Sequence, residues 1–316
     1  MKLQQLRYAL EVYRHNLNVS AAADALFTSQ PGVSKQIRLL EEELGVQIFI
    51  RSGKRIVSVS PPGKAVLELA ERVLHDVHNI KNIGKEFTDH NSGLLTIATS
   101  HTQARYALPN IIAEFVKLYP KVQLFIKQGS PSAIAQMVLS GEADFAITTE
   151  SMENFDELRS LPCAQWTHGI VVPDGHPLLN KAGPITLEDI AAHPLITYEF
   201  AFNGNSSISH AFNKANIENL NVVLAAADTE VLKTYVKLGL GVGIMAQMAF
   251  DRNADQGLQM IDASHLFEPS YTAITLRPDS YLRGYTYEFL CMFVPGLTRE
   301  KIDKLLYEPI EEDFSI

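Results

Sequence analysis

Four polar side chains between residues 30 and 38 have the types and the spacing that suit the reading of DNA bases. Gln30, Ser34 and Arg38 recur every four residues, which places them on one face of a helix. A glutamine amide fits the edge of adenine, whereas Arg38 or the neighbouring Lys35 fits guanine or a phosphate. The spacing therefore predicts a base-reading face, and ordinary capping and solvation of Gln30 and Ser34 are the alternative.

The residues before this face predict the crossing helices and the turn of a helix-turn-helix. Ala22 and Ala23 are small enough for a second helix to approach the third closely. Residues 27–29 form the turn, and Ser29 is a good N-cap for a helix that admits Pro31 in its first turn. Because the turn lacks the glycine common in this motif, the motif alone indicates DNA binding less specifically.

A charged hairpin follows the third helix. Short β-type segments at residues 47–50 and 56–59 flank a basic turn, which predicts a wing that contacts phosphates or a minor groove. A solvated hairpin tip explains the same residues. The side chains predicted to contact DNA are Thr28, Ser29, Gln30, Pro31, Ser34, Lys35, Arg38, Arg51, Lys54 and Arg55.

The charge of the chain is unevenly distributed. The net charge is −9, yet residues 1–60 carry eight basic and five acidic side chains, so a positive segment precedes an acidic body. This asymmetry fits a small DNA-facing module. No apolar run approaches the roughly 20 residues that cross a bilayer. With no signal-peptide pattern either, a cytoplasmic protein without a membrane partner is expected. Cys163 and Cys291 predict reduced thiols rather than disulfides.

Residues 61–92 predict a long linker helix. After the break at residues 61–63, apolar side chains recur every three or four positions from Val66 to Ile83. Because the neighbouring sequence offers nothing to cover this stripe, packing against a second copy of the chain is favoured. Packing on the chain's own core is the alternative. A homo-oligomer, either a dimer or a tetramer, is therefore expected.

From residue 93 onward, short apolar strands alternate with helices, which is typical of an α/β fold with mainly parallel sheets. The order predicts two lobes, with a cleft between them in which a ligand binds. The predicted domains are a DNA-binding domain at 1–60, a linker helix at 61–92, an effector domain at 93–300 and a tail at 301–316. Lobe I covers about 93–165 and 267–300, and lobe II covers about 166–266.

Polar residues cluster where three predicted strands end. Segments 99–103, 148–150 and 202–207 carry hydroxyl and amide side chains, and the first and third of them precede helices. Free backbone N–H groups at such helix starts suit a carboxylate or a sulfate. The segments therefore predict a site for a small polar ligand, and simple helix capping is the alternative.

The sequence contains no pattern that predicts catalysis, a cofactor or a metal. Residues 239–243 are rich in glycine, but they follow a helix and precede a strand, the reverse of a dinucleotide-binding turn. No histidine has the spacing from carboxylates or cysteines that a metal site needs, and no nucleophile–base pair is evident. An enzyme is therefore not expected. A ligand-binding transport component would explain the lobes but not the N-terminal module.

The motif residues resemble those of a known family. Residues 28–38 and 40–45, together with 49–51 and 60–63, are similar to the signature of LysR-type transcriptional regulators. The resemblance spans the chain. It implies a winged helix-turn-helix, a long linker helix and a two-lobed effector domain like that of periplasmic binding proteins. It also implies three partners: double-stranded promoter DNA, RNA polymerase and a second copy of the chain.

Within the family, residues 1–8, 15–20 and 101–109 look like those of regulators of sulfate assimilation and cysteine synthesis. That likeness implies a small anionic or zwitterionic effector: N-acetylserine, O-acetylserine, sulfate or thiosulfate. Control of another sulfur-source regulon through a different anion is the alternative. The effector-binding positions that the resemblance implies are Ser100, Thr102, Gln103, Thr149, Trp166 and Asn203. Threonine is expected where Ser100 and Asn203 stand; Ser100 keeps the hydroxyl, and Asn203 adds an amide donor.

Overall fold

The computed structural model describes residues 1–53, 55–149, 155, 157–202 and 206–308. The chain divides into two compact units, Met1–Phe87 and Thr88–Ile316. Lys54 and Asn203, both of them predicted to bind a partner, lie outside the described residues.

The N-terminal unit consists of helices around one apolar core and a two-stranded hairpin. Its helices are α1 (Leu3–Arg14), α2 (Val19–Ala25), α3 (Gln30–Leu44) and α4 (Pro61–Thr88), and its strands are β1 (Phe49–Ser52) and β2 (Arg55–Val59). The two strands pair antiparallel, as a wing requires. Val12, Val33, Leu40, Ile48 and Phe49 are completely buried, so α1, α3 and the hairpin share the core.

The first turn of α4 packs tightly on the hairpin. The Ser60 N–H donates to the Ile48 carbonyl at 2.9 Å, and the Gly63 N–H donates to Ser60 Oγ at 2.9 Å. A Cβ on Gly63 would lie 2.0 Å from the Ile48 carbonyl oxygen, so only glycine fits at this position. The helix begins at Pro61, so residues 61–63, which the sequence analysis describes as a break, form its first turn; proline is tolerated there.

The C-terminal unit contains two five-stranded sheets. Its strands are β3 (Ser92–Thr99), β4 (Lys121–Gln128), β5 (Phe145–Thr148), β6 (Arg159–Trp166), β7 (His168–Pro173), β8 (Leu195–Tyr198), β9 (Val222–Ala226), β10 (Val242–Ala246), β11 (Leu258–Asp262) and β12 (Ser270–Leu276). Lobe I is built on the sheet of order β4-β3-β5-β12-β6, and lobe II on the sheet of order β11-β7-β10-β8-β9. The chain leaves lobe I after β6 and returns to it with β12.

Each sheet mixes parallel and antiparallel pairs, whereas the sequence analysis expects mainly parallel ones. In lobe I, β3 runs parallel to β4 and β5, and β12 is antiparallel to β5 and β6. In lobe II, β8 is parallel to β9 and β10, and β7 is antiparallel to β10 and β11. In the described part of these two sheets, every antiparallel pair involves β7 or β12, the strands with which the chain enters a lobe after crossing from the other.

A π-helix (Gln103–Ala107) follows β3, at the place where the sequence analysis predicts that a helix follows segment 99–103. The Leu108 N–H donates to the Gln103 carbonyl at 3.1 Å, and Pro109 has no N–H with which to continue the ladder. The remaining helices are α5 (Pro109–Leu118), α6 (Pro131–Leu139), α7 (Leu187–Ala191), α8 (Ser207–Lys214), α9 (Thr229–Lys237), α10 (Gly284–Phe293) and α11 (Arg299–Tyr307).

The sequence prediction omits β6, β11 and α7 and assigns α11 to a tail. Strands β6 and β11 are edge strands, and β6 contains Pro162, so neither has the continuous apolar pattern of an inner strand. Helix α11 is held in the core of lobe I by Ile302 and Leu306, one helical turn apart and 1% and 0% exposed. The predicted α/β class is confirmed, and the described fold extends to residue 308.

Candidate DNA-binding and effector-binding sites

Helices α2 and α3 cross through small side chains, as the sequence predicts. Ala22 and Ala23 are 0% and 2% exposed and pack in one core with Val33 and Ile37 of α3. Because the crossing residues have almost no side chain, the two helices approach closely. This packing holds α3 with its first turns exposed.

The exposed part of α3 contains most of the residues predicted to contact DNA. Ser29 caps the helix, since its Oγ accepts from the Gly32 N–H at 3.3 Å. Gln30 Nε2 donates to Ser34 Oγ at 3.3 Å, so these two side chains lie on one face. Ser29, Gln30, Pro31, Lys35 and Arg38 are exposed, and Thr28 and Ser34 are half-buried.

The hairpin is fixed to α3 by a buried carboxylate. Glu41, 8% exposed, accepts from the Ile48 and Phe49 N–H groups at 2.9 and 3.1 Å, and it forms an ion pair with Arg51 at 2.8 Å. The guanidinium of Arg51 therefore stabilises the hairpin, and its contact with DNA stays a prediction. Arg55 is exposed.

In the C-terminal unit, the predicted effector residues begin where β3 ends. The Ser100 Oγ accepts from the Gln103 N–H at 3.3 Å, and the Ser100 carbonyl accepts from the Ala104 N–H at 3.0 Å. These bonds turn the chain from strand to helix. As a result, Thr102 and Gln103 point their side chains toward buried surroundings, with exposures of 8% and 0%.

Two buried polar atoms of this region lack a hydrogen-bond partner among the described residues: Gln103 Oε1 and Trp166 Nε1. Gln103 Nε2 donates to Thr272 Oγ1 of β12 at 2.8 Å. Trp166 pairs in register with Ser270 at the start of the same strand. Near the start of β12, the described residues thus leave one buried acceptor and one buried donor without a hydrogen bond. An unsatisfied buried polar group costs about 1–3 kcal/mol, which a ligand would recover.

A second set of hydroxyl groups joins the two lobes. Thr102 Oγ1 of lobe I lies 3.2 Å from Thr229 Oγ1 at the start of α9, and Thr229 Oγ1 lies 3.0 Å from Tyr198 Oη. The Ala246 N–H donates to the same Tyr198 Oη at 3.3 Å. Thr102 is therefore both a predicted effector residue and the lobe I end of a chain of hydrogen bonds that reaches the centre of lobe II.

A charged cluster lies beside these hydroxyls. Glu230 of α9 accepts from Tyr106 Oη and forms an ion pair with Arg105 at 3.3 Å, both on the π-helix of lobe I. Lys233, 5% exposed, pairs with Glu230 at 2.6 Å and with Asp255 at 2.8 Å. Burial opposes the charge of Lys233, but its bonds to Asp255 and Glu230 outweigh burial and raise the pKa of Lys233. The cluster thus ties the π-helix to α9.

Models of two protein families match the chain, one in each of its two compact units. Residues 3–64 match the bacterial regulatory helix-turn-helix protein, lysR family, and residues 88–295 match the LysR substrate binding domain. The chain belongs to the LysR family. The predicted family, the winged helix-turn-helix and the two-lobed effector domain are thereby confirmed, and this LysR-family chain is a DNA-binding transcription regulator.

Relatives match this LysR-family chain over its full length. It is 49% identical over 310 residues to the HTH-type transcriptional regulator SsuR of Burkholderia cenocepacia, covering 98% of this chain and 100% of SsuR. It is 50% identical over 306 residues to the regulator CysB of the same organism, covering 97% of each. The crystal structure of the cofactor-binding domain of the Cbl transcriptional regulator has a TM-score of 0.65 and 40% identity, covering 70% of this chain and 96% of that one.

Thr149 is a further residue that the sequence analysis assigns to the effector site. Thr149 follows directly after β5 and is half-buried.

Four residues of the contacts between the lobes were not among the predicted site residues: Thr229, Tyr198, Glu230 and Lys233. The sequence did contain a signal for two of them: Thr229 and Glu230 open a helix just after the end of β9, the same strand-to-helix pattern that marks residues 99–103.

Burial of His168 next to Trp166 makes the stability of this LysR-family chain depend on pH. Burial lowers the pKa of His168 from 6.5 to about 4, so the folded chain keeps this ring neutral. Between those values the unfolded chain binds a proton that the folded chain does not. The free energy of unfolding should therefore fall by about 3 kcal/mol as the pH falls from 6.5 to 4.

Urea unfolding followed by Trp166 fluorescence at several pH values measures this dependence. His168→Gln should flatten it between pH 6.5 and 4, and replacement of the exposed His210 by glutamine should not. A pH dependence that is identical in wild type and His168→Gln would show that burial of this ring is not its cause.

Two negative findings apply to the described residues alone. They contain no group of three or more histidine, cysteine, aspartate or glutamate side chains that could hold a metal ion. Among their helices, none combines the length and the apolar character needed to cross a membrane.

Proposed function

We propose that this chain is an effector-responsive regulator of genes for sulfur assimilation and cysteine biosynthesis. The observation that carries the proposal is its full-length likeness, at 49% and 50% identity, to SsuR and CysB. In this proposal α3 binds in the major groove of promoter DNA, and the C-terminal unit binds a small anionic or zwitterionic molecule. The protein acts in the cytoplasm together with RNA polymerase.

The exposed face of α3 supports a direct base-reading role for Gln30. Gln30 is the first residue of α3, and its amide lies on the same face as Ser34, one turn further on. A glutamine amide can pair bidentately with adenine. Lys35 and Arg38 are exposed on the same helix and supply charge for guanine or phosphate. Arg55 and Lys54 would contact the DNA backbone beside the groove.

Gln30→Ala is expected to remove about 1–3 kcal/mol of discrimination between the operator and other DNA. Fluorescence anisotropy would compare a duplex from the region upstream of the chain's own gene with an unrelated duplex of equal length. Gln47→Ala is the matched control, because Gln47 is exposed in the same unit but lies outside the predicted contacts. Equal losses on both duplexes for Gln30→Ala would contradict base reading.

The chemistry of the C-terminal unit supports a small polar effector. Gln103 offers a carbonyl oxygen and Trp166 an N–H that no described residue pairs with, both buried near the start of β12. Thr102 and Ser100 add hydroxyls where a strand ends and a helix begins, a place that favours anions. A ligand with both an acceptor and a donor, such as an acetylated serine, would satisfy both buried atoms.

The single tryptophan of the chain allows a direct ligand assay. Trp166 fluorescence and the melting temperature would be measured with N-acetylserine, O-acetylserine, sulfate, thiosulfate and sulfide, since a ligand stabilises the folded state by mass action. Binding of an acetylserine supports the cysteine regulon. Binding of sulfate or another sulfur anion alone supports the alternative, a regulon for a different sulfur source. Ser100 and Asn203, which stand where threonine is expected, favour keeping that alternative in the test.

The exposed stripe of α4 supports a homo-oligomer. Leu69, Ile80 and Phe87 are 53%, 66% and 77% exposed, and a second copy of the helix would cover them. We infer a binding function rather than catalysis, because both relatives are transcription regulators. In the mechanism we propose, the ligand closes the cleft between the lobes, changes the angle between subunits and so changes the bending of DNA.

A further inference from the structure

We propose that Phe27 contacts the apolar surface of duplex DNA beside the base-reading face of α3. This surface consists of thymine C5-methyl groups and the edges of deoxyribose rings. Phe27 lies in the turn between α2 and α3, three residues before Gln30, and its side chain is 98% exposed. The inference rests on the DNA-binding role of this helix.

The backbone conformation of Phe27 is unfavourable for a residue with an aromatic side chain. Its φ is +50°, in the left-handed region where glycine and asparagine are favoured and an aromatic residue is strained. The turn is held by two backbone bonds, from the Phe27 N–H to the Asp24 carbonyl at 3.1 Å and from the Thr28 N–H to the Ala23 carbonyl at 2.9 Å. The turn lacks the glycine that is common in this motif. Phe27 stands there instead, in a backbone conformation that suits glycine.

Folding does not explain the aromatic ring. A side chain that is 98% exposed contributes almost no burial, and the strained backbone lowers stability. A residue that costs stability and is almost fully exposed on the described part of its unit is better explained by contact with a partner. Its position decides which partner this is.

The surroundings of Phe27 favour DNA over a protein partner. Ser29 and Gln30, which follow it, are exposed polar residues in the first turn of α3, and Lys35 and Arg38 are exposed on the same helix. Such a polar and cationic surface suits a nucleic acid. The apolar groups that a duplex presents at the major groove are the thymine methyl and the sugar, and phenylalanine is among the side chains that contact the methyl.

An apolar contact has a distinctive thermodynamic signature. It displaces no counterion, so its removal weakens binding without changing the slope of log affinity against log salt concentration. Loss of a phosphate contact, as expected for Lys35→Ala, lowers that slope. The two kinds of contact are therefore separable in one titration series.

The experiment uses the full chain and a 30-base-pair duplex from the region upstream of its gene, followed by fluorescence anisotropy at several salt concentrations. Phe27→Ala should bind about five- to tenfold more weakly with an unchanged salt slope, and Phe27→Tyr should bind within about twofold of wild type. A duplex in which deoxyuridine replaces every thymidine identifies the source. If Phe27→Ala loses less affinity for the deoxyuridine duplex than for the thymidine duplex, the contact is with thymine methyls. If it loses the same affinity for both, the contact is with deoxyribose.

Phe27→Asn provides a second readout that a structural role would not produce. Because asparagine tolerates a positive φ, this variant should melt at least as high as wild type and still bind DNA as weakly as Phe27→Ala. The inference would be overturned if Phe27→Ala and Phe27→Asn bound DNA like wild type. A melting temperature of Phe27→Asn below that of wild type would also overturn it. A wild-type chain that does not bind the duplex would overturn the DNA-binding role as well, which separates the two failures.

Discussion

Replacement of Lys233 by methionine is expected to lower the free energy of unfolding of the C-terminal unit by about 3–5 kcal/mol. Lys233 is 5% exposed, and its ammonium group bonds to the Ala249 carbonyl at 3.0 Å, to Asp255 at 2.8 Å and to Glu230 at 2.6 Å. Methionine fills a similar volume but leaves the nearly buried carboxylate of Asp255 without its cation. The loss should appear in urea unfolding followed by Trp166 fluorescence.

Lys237→Met is the matched control for this prediction. Lys237 lies one turn later on α9 and is exposed, so its replacement should change stability by at most about 0.5 kcal/mol. Similar small losses in both variants would mean that the charged cluster around Lys233 adds little to the stability of the unit.

Gly63→Ala is expected to destabilise the N-terminal unit by about 4 kcal/mol or more and to abolish DNA binding. The new Cβ would lie 2.0 Å from the Ile48 carbonyl oxygen and 2.8 Å from Ile48 Cα, and backbone atoms cannot rotate away as a side chain can. The first turn of α4 would separate from the hairpin, which would break the bonds around Ser60. Far-UV circular dichroism during urea unfolding measures the stability, and anisotropy measures the binding.

Gly84 provides a control on the same helix. A Cβ at Gly84 would meet no atom within 4 Å, so Gly84→Ala should stabilise α4 by about 0.5–1 kcal/mol through helix propensity alone. If Gly63→Ala behaved like Gly84→Ala, the tight packing of α4 on the hairpin would be refuted.

The N-terminal unit could be predicted in detail because its signals are local. Ser29 as N-cap and Pro31 in the first turn fix the start of α3, and both are found there. The crossing at Ala22 and Ala23 is likewise a short-range pattern. The pairing of Arg51 with Glu41 was not foreseen, because it joins a helix to a strand ten residues away and only the folded chain brings them together.

The C-terminal unit was predicted at the level of lobes and strand ends but not of contacts. Edge strands such as β6 lack a strong apolar pattern, and the π-helix ends with a bond from the Leu108 N–H to the Gln103 carbonyl, five residues back, which apolar spacing does not predict. The bond between Thr102 and Thr229 joins residues 127 positions apart. Periodicity reports which side of an element is buried, but it contains no information about which distant side chain lies opposite.

The central claim is that occupation of the C-terminal unit by an effector changes how α3 and the wing contact DNA. DNase footprinting of the region upstream of the chain's own gene tests it directly, with and without a ligand that Trp166 fluorescence has shown to bind. Linkage requires that a ligand which alters DNA binding is itself bound differently on DNA. The account predicts a footprint that changes in length or in its pattern of enhanced cleavage when the ligand is present. Identical footprints at saturating ligand would contradict it.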